Sequence, residues 1–193
     1  RLEHYVERYA AGRGVRPGMA RRALARPLYY AAMMVRAGDA DAVLAGAAAK
    51  TRQVIECGLL TVGLAEGIAH PSSFFLMLVP GFRGAERAPL IFADCAVNID
   101  PDAETLAAIA LGSAATARHL LADDPRLALL SFSTHGSADH AHVRKVREAL
   151  GLVRERAPAL AIDGELQADA ALIEEIAARK VAGSNAVAGH ANV

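Results

Sequence analysis

Apolar and polar positions along the chain change period several times, and each change marks an element. Residues 1–26 are polar, with Gly12, Gly14, Pro17 and Gly18 as punctuation, and read as helix and turn. Pro27 suits the first position of a helix running to about Gly38, where no backbone N–H is needed. Asp39-Ala40-Asp41 then leads into a short apolar strand, Ala42–Ala45, closed by Gly46. From Lys50 to Gly63 the spacing of Val54, Ile55, Leu59 and Val62 predicts another helix. After Gly67 and Pro71 the character changes. Phe74–Val79 and Leu90–Ala93 are continuous apolar runs of strand length, separated by a turn containing Gly81, Gly84 and Pro89. Asp100-Pro101 reads as a helix start, an acidic cap followed by Pro, and that helix extends Ala-rich to about Leu121. Leu127–Phe132 and Leu160–Ile162 read as strands, Ala141–Glu155 and Leu166–Lys180 as helices.

This alternation predicts an α/β fold of three layers, mainly parallel sheets with flanking helices. The change near residues 64–72 predicts two domains, 1–68 and 69–193. In open parallel sheets, function gathers at the carboxyl ends of the strands. That selects four loops: Gly46–Thr51, Asp94–Asn98, Ser131–Ala138 and Asp163–Asp169.

Composition narrows the classes. A hydrophobic fraction of 53% excludes a disordered chain. Ala supplies 44 of the 193 residues, so the apolar excess is mostly helix former. No uncharged apolar run reaches the length of a membrane span, and the start, Arg1-Leu2-Glu3-His4, has no signal-peptide pattern. Without a Met at its start, the chain is expected to be an interior piece of a longer protein. Cys57 and Cys95 are too isolated for a metal or disulfide framework, which fits a reducing cytoplasm. The absence of Trp argues against a nucleic-acid stacking platform. The zero net charge hides a polarity: residues 1–52 carry ten basic against four acidic side chains, residues 53–193 eleven against seventeen. Eighteen of the 21 basic residues are Arg, the side chain that forks best onto phosphate or carboxylate. Solvated helix faces explain this polarity as well as an anion site in the N-terminal third does.

Several constellations could carry chemistry. Ser131-Phe132-Ser133-Thr134-His135-Gly136-Ser137-Ala138 offers hydroxyls and close backbone N–H groups to an anion, or is a hydroxyl-rich turn ahead of a helix. Lys50-Thr51-Arg52, after Gly46 and at a helix N-terminus, describes an oxyanion or phosphate seat, or an exposed helix start. Asp163-Gly164-Glu165 puts two carboxylates at a strand end, where a general base could sit. His135, Asp139, His140 and His142 raise a metal, but the spacing favours a solvated helix start. The G-x-G-x-x-G and G-x-x-x-x-G-K-[ST] nucleotide fingerprints and the G-x-S-x-G hydrolase elbow are absent. Cys57 and Cys95 read as small core residues.

Six segments, in order, carry a resemblance. They are Pro27-Leu28-Tyr29-Tyr30 through Met33-Met34-Val35 to Gly38-Asp39-Ala40-Asp41; Ser72-Ser73-Phe74-Phe75-Leu76-Met77; and Phe92-Ala93-Asp94-Cys95-Ala96-Val97-Asn98. Ser131 to Ala138, Asp163-Gly164-Glu165-Leu166-Gln167 through Asp169-Ala170-Ala171, and Val187 to Val193 complete the set. Together they resemble the phosphate acetyl/butyryl transferase family. The resemblance implies two α/β domains of the isocitrate/isopropylmalate dehydrogenase-like type, an active site in the cleft between them, and a homodimer. It implies interconversion of acetyl-CoA plus phosphate with acetyl phosphate plus CoA, with coenzyme A as substrate and neither cofactor nor metal in the chemical step. A base deprotonates the thiol, the thiolate attacks the acetyl carbonyl, and cationic and N–H donors hold the developing charge. By the same resemblance Ser133, Thr134, Gly136 and Ser137 line the site from the second domain, and Lys50, Thr51 and Arg52 from the first.

Two departures stand out. Where the family carries a substrate-binding Arg in the helix after Gly46, this chain has Glu56, which would repel phosphate. A second family Arg, ahead of the Pro-Leu-Tyr segment, corresponds to Arg8 or Arg13. The family's catalytic Ser-Arg pair and the acidic residue after it lie beyond the Ala-Asn-Val segment, so a protein ending at Val193 is expected to lack transferase activity. An inactive or regulatory module sensing acetyl-CoA is the main alternative, and a metal-dependent enzyme built on His135, His140 and His142 the weaker one. Arg52 lies one helical turn before Glu56 on about the same face and is expected to supply the missing charge. Arg52→Ala should therefore sharply weaken phosphate or acetyl phosphate binding, and an unchanged affinity would remove Arg52 from the site.

Overall fold

The computed structural model describes residues 1–66, 68–183 and 185–193. The chain forms two compact units, Arg1–Gly67 and Ile68–Val193.

The first unit consists of helices α1 (Leu2–Arg13), α2 (Pro17–Leu24), α3 (Pro27–Ala37) and α4 (Thr51–Thr61). Pro17 and Pro27 open their helices, and Gly14 and Gly38 end α1 and α3 in the left-handed conformation that a side chain would resist. Tyr5, Val6, Ala20, Leu24, Tyr29, Ala32, Met33 and Cys57 make its core. The fully buried Tyr5 donates its hydroxyl to Asp39, tying α1 to the residues after α3. Two sequence expectations need correction here. Residues 42–45 form no strand, and Leu44 is fully exposed; an apolar run becomes a strand only beside a partner edge, and the described residues of this unit contain none. In α4 the core contact is Cys57, whereas Leu59 and Val62 are exposed, so the buried face is rotated from the one the apolar spacing suggested.

The second unit carries the strands. β1 (Phe74–Pro80) and β2 (Arg87–Ala93) pair as an antiparallel hairpin, with Phe74 opposite Ala93 and Pro80 opposite Arg87. Pro89 therefore lies inside β2 instead of in the turn. β3 (Arg126–Leu130) and β4 (Ala161–Leu166) pair in parallel through the intervening α6 (Ala141–Arg156). The sheets are thus mixed, because the short 81–86 connection can only reverse the chain, whereas the helical crossover returns it in the same direction. Helix α5 (Ala103–Leu120) buries Ala103, Ala107, Ala110 and Ala114 against Val146, Ala149 and Val153 of α6, small residues that let the two backbones approach closely. Its cap is Asp102, which accepts the Thr105 N–H at 2.8 Å; the predicted cap, Asp100, instead pairs with Lys145 of α6. The helix predicted over 166–180 is two, α7 (Ala168–Leu172) and α8 (Glu174–Lys180), with Ile173 extended between them.

The segment Asn192–Val193 ties hairpin to parallel pair. The Ile91 N–H donates to the Asn192 carbonyl at 2.9 Å and the Ala128 N–H to the Val193 carbonyl at 3.0 Å. The hairpin turn is pinned to the same region by Arg83, whose guanidinium donates to the carbonyls of Leu172, Gly189 and Ala191. In β4, a Cβ on Gly164 would lie 2.8 Å from Leu129 Cβ and 3.1 Å from Leu129 O, so only glycine lets β4 lie this close to β3. Gly164→Ala is expected to cost about 1–3 kcal/mol, read as a fall in thermal midpoint; an unchanged midpoint would contradict the packing described.

Candidate functional site

The hydroxyl-rich turn after β3 takes its shape from one buried carboxylate. Between Leu129 and Leu130 the pairing with β4 slips: Leu129 opposes Gly164, but Leu130 opposes Leu166. Glu165 is the extra residue, and such a bulge re-aims a side chain. Its side chain is 1% exposed and points into the turn. Glu165 Oε1 accepts from Ser133 Oγ at 2.9 Å and from the Gly136 N–H at 2.8 Å, while its carbonyl accepts from the His135 N–H. Arg147, on α6, forks onto the carboxylate, Nε to Oε2 at 2.6 Å and Nη2 to Oε1 at 2.9 Å. That guanidinium outweighs the burial that opposes ionisation, and with the Gly136 N–H and Ser133 hydroxyl it holds the Glu165 carboxyl down at about 2.

An ionised Glu165 only accepts, and this fixes the direction of the Ser133 and Ser137 hydroxyl protons. Ser133 donates to Glu165, so the Ser133–Ser137 contact, 3.2 Å, carries the Ser137 proton toward Ser133. Ser133 Oγ also accepts the Ala138 N–H, and Ser137 Oγ the Thr134 N–H. Thr134 Oγ1 accepts the Gln167 N–H and donates to Gln167 Oε1. Ser133 and Thr134 are buried, whereas Gly136 and Ser137 are exposed. The hydroxyls of Ser133, Thr134 and Ser137 and the Gly136 N–H, which the sequence offered to a substrate anion, are thus spent on the chain's own carboxylate and its supports. His135, held in the left-handed region at φ 41°, turns its Nε2 to Asp163 Oδ2 at 2.9 Å. Asp163 is also held by Arg154 and Asn185. Both carboxylates of Asp163-Gly164-Glu165 therefore sit within β4, each neutralised by a partner, and not in a loop beyond it.

The neighbouring loop follows the same logic. Burial opposes ionisation of Asp94, but the Ser73 hydroxyl, the N–H groups of Ala96 and Val97 and the Asn98 side chain outweigh it and hold the carboxyl far below its usual range. His140 and His142 stack at 5.0 Å between ring centroids at the start of α6. Among the described residues no three His, Cys, Asp or Glu side chains converge as a metal site. Cys95 is exposed, against the expectation of a core residue; Cys57 is buried.

In the first unit the predicted cations occupy opposite ends of α4. Lys50, Thr51 and Arg52 are exposed at its N-terminus, where the Lys50 N–H donates to Gln53 Oε1 at 3.1 Å, and Glu56 is exposed one turn on. Arg8 and Arg13 instead line a cavity of about 350 Å³ near its C-terminal end, with Arg36, Leu60, Thr61 and Gly63. Three arginines and no carboxylate line it, the electrostatics of an anion seat. Sequence reasoning missed Arg36 and Arg147; the available signal for Arg147 was Glu165 itself, a carboxylate beside a buried strand that required a cation.

The depressed Glu165 pKa links stability to pH. Glu165 ionises at about 2 when folded against an ordinary 4.5, so its contribution is complete above pH 4.5 and lost as pH falls toward 2. Denaturant unfolding should show the second unit losing up to about 3 kcal/mol across this window from Glu165. Glu165→Gln should flatten that part of the profile; an identical slope in the variant would contradict the ionised clamp.

The family model described as phosphate acetyl/butaryl transferase matches residues 1–193. A phosphate acetyltransferase of Paracoccus denitrificans is 47% identical over 100% of this chain and 60% of its own length, and one of Clostridium acetobutylicum is 46% identical over 86% of this chain and 50% of its own. The chain thus spans 50–60% of the length of these curated relatives. Among solved structures, the EutD phosphotransacetylase from Staphylococcus aureus matches 98% of this chain and 57% of its own with a TM-score of 0.86 at 34% identity. A phosphotransacetylase from Streptococcus pyogenes matches 99% and 56% with a TM-score of 0.82 at 41% identity. With these matches the two-domain dehydrogenase-like α/β fold is shown, and the chain belongs to the phosphate acetyl/butaryl transferase family.

Proposed function

We propose that this chain is part of a transferase that interconverts acetyl-CoA and phosphate with acetyl phosphate and CoA. The observation that carries the reading is the family match across all of residues 1–193, joined to curated relatives that bear the name phosphate acetyltransferase at 39–49% identity. The arginine-lined cavity of the first unit supports it, because both partner molecules carry phosphate groups.

In the direction of CoA acetylation the thiol first loses its proton to a base. Sulfur then bonds to the acetyl carbonyl carbon, the carbon–oxygen bond to phosphate breaks, and phosphate leaves with that electron pair. Charge develops on the carbonyl oxygen and on the departing phosphate, so preorganised cations and N–H donors lower the barrier. Arg8 and Arg13 are the arginines assigned to phosphate in the first unit, with Lys50, Thr51 and Arg52 as a second cationic position at the other end of α4. Coenzyme A is a substrate here, and the reading requires neither cofactor nor metal. Cytoplasmic homodimers belong to the same reading. No helix among the described residues is long and apolar enough to cross a membrane.

The full-length protein is expected to release free thiol from acetyl-CoA only when phosphate is added, followed with a thiol reagent, and to do so equally after chelation. Absence of release with retained acetyl-CoA binding would instead identify a regulatory module, and loss of release on chelation a metal-dependent enzyme.

A further inference from the structure

Donors already committed to acceptors within the fold cannot grip an anion. The hydroxyls of Ser133 and Ser137, the hydroxyl of Thr134 and the Gly136 N–H each end on an acceptor inside the second unit. The cation at this turn keeps donors in reserve. A guanidinium has five N–H bonds, and Arg147 commits its Nε and one N–H of Nη2 to Glu165. Nη1 takes no part in the fork, and the Arg147 side chain remains 42% exposed beside a partner that is 1% exposed. The inner edge of the fork is thus fixed by a carboxylate that cannot move, and the outer edge faces solvent. Gly136 adjoins it: a Cβ built there would come within 3.4 Å of Arg147 Nη2, so glycine keeps the approach to that nitrogen open.

We propose that Arg147 is the residue of the second unit that contacts a phosphate oxygen of the substrate, and that Glu165 is its positioning residue. The proposal rests on the transferase reading above. Anchoring one edge of an arginine removes most of the side-chain entropy that a free surface arginine would lose on gripping an anion, so the outer N–H groups bind at smaller cost. The phosphate oxygen could belong to acetyl phosphate or inorganic phosphate, or to CoA, and the separate Michaelis constants distinguish these sources.

The test uses the full-length protein and begins with wild-type turnover; if there is none, it is the transferase reading that fails. In an active enzyme, Arg147→Lys preserves a cation for Glu165 but loses the second edge. It should raise the KM for one phosphate-bearing substrate about tenfold, the cost of one charge-assisted contact, with a much smaller change in the other. Glu165→Gln frees the guanidinium and should raise the same KM. Val153→Ala, a buried change on α6 away from the turn, provides the comparison for general destabilisation: it should lower the thermal midpoint without moving either KM. If Glu165→Gln fails to fold, Arg147→Lys and Arg147→Gln decide alone. Wild-type KM values for acetyl phosphate, phosphate and CoA in both Arg147 variants would overturn the proposal, as would KM changes in Val153→Ala equal to theirs.

Discussion

A carboxylate that is buried and ionised must be surrounded by donors, and in the second unit that requirement organises everything near the end of β4. The Glu165 carboxylate draws in the guanidinium of Arg147 from α6 and the Ser133 hydroxyl and Gly136 N–H from the turn after β3, while its carbonyl accepts the His135 N–H and the bulge aims the side chain there. Removing the guanidinium would leave a buried charge without its cation, a costly change. His135 adopts a left-handed backbone because its N–H and that of Gly136 both face Glu165.

The same arrangement recurs at Asp94, whose carboxylate collects the Ser73 hydroxyl and the N–H groups of the residues that follow it. Two of the four polar loops selected at strand ends are therefore internally neutralised anion seats. The first unit differs: Arg8, Arg13 and Arg36 face one cavity without a carboxylate among its lining residues. The cationic excess of residues 1–52 is thus partly gathered at one place, as an external anion requires, while the acidic excess of the remainder includes carboxylates consumed by the fold.

Family membership was legible because short segments stood in the right order, each with a strong local character. The helices from Pro27 and from Ala141 were legible for a local reason too: proline, glycine and apolar spacing act within a few residues. Where the reading failed, the deciding partner was distant in sequence. Residues 42–45 have strand composition but, among the described residues of their unit, no edge to pair with. Asp102 rather than Asp100 caps α5, and Asp100 pairs instead with Lys145, 45 residues away. Leu166–Lys180 looked like one helix, yet it breaks at Ile173.

By itself, then, the sequence determined the α/β class, the positions of most helices and strands, and the pool of residues near the candidate site. Which of those residues have donors left was decided only by tertiary structure. Ser133, Thr134, Gly136 and Ser137 carry the right atoms for an anion, but hydrogen-bonding capacity is finite: Glu165, about thirty residues away along the chain, takes the Ser133 hydroxyl and the Gly136 N–H, Gln167 takes the Thr134 hydroxyl, and Ser133 the Ser137 hydroxyl. Burial made that carboxylate demanding, and folding brought Arg147 and the turn to it.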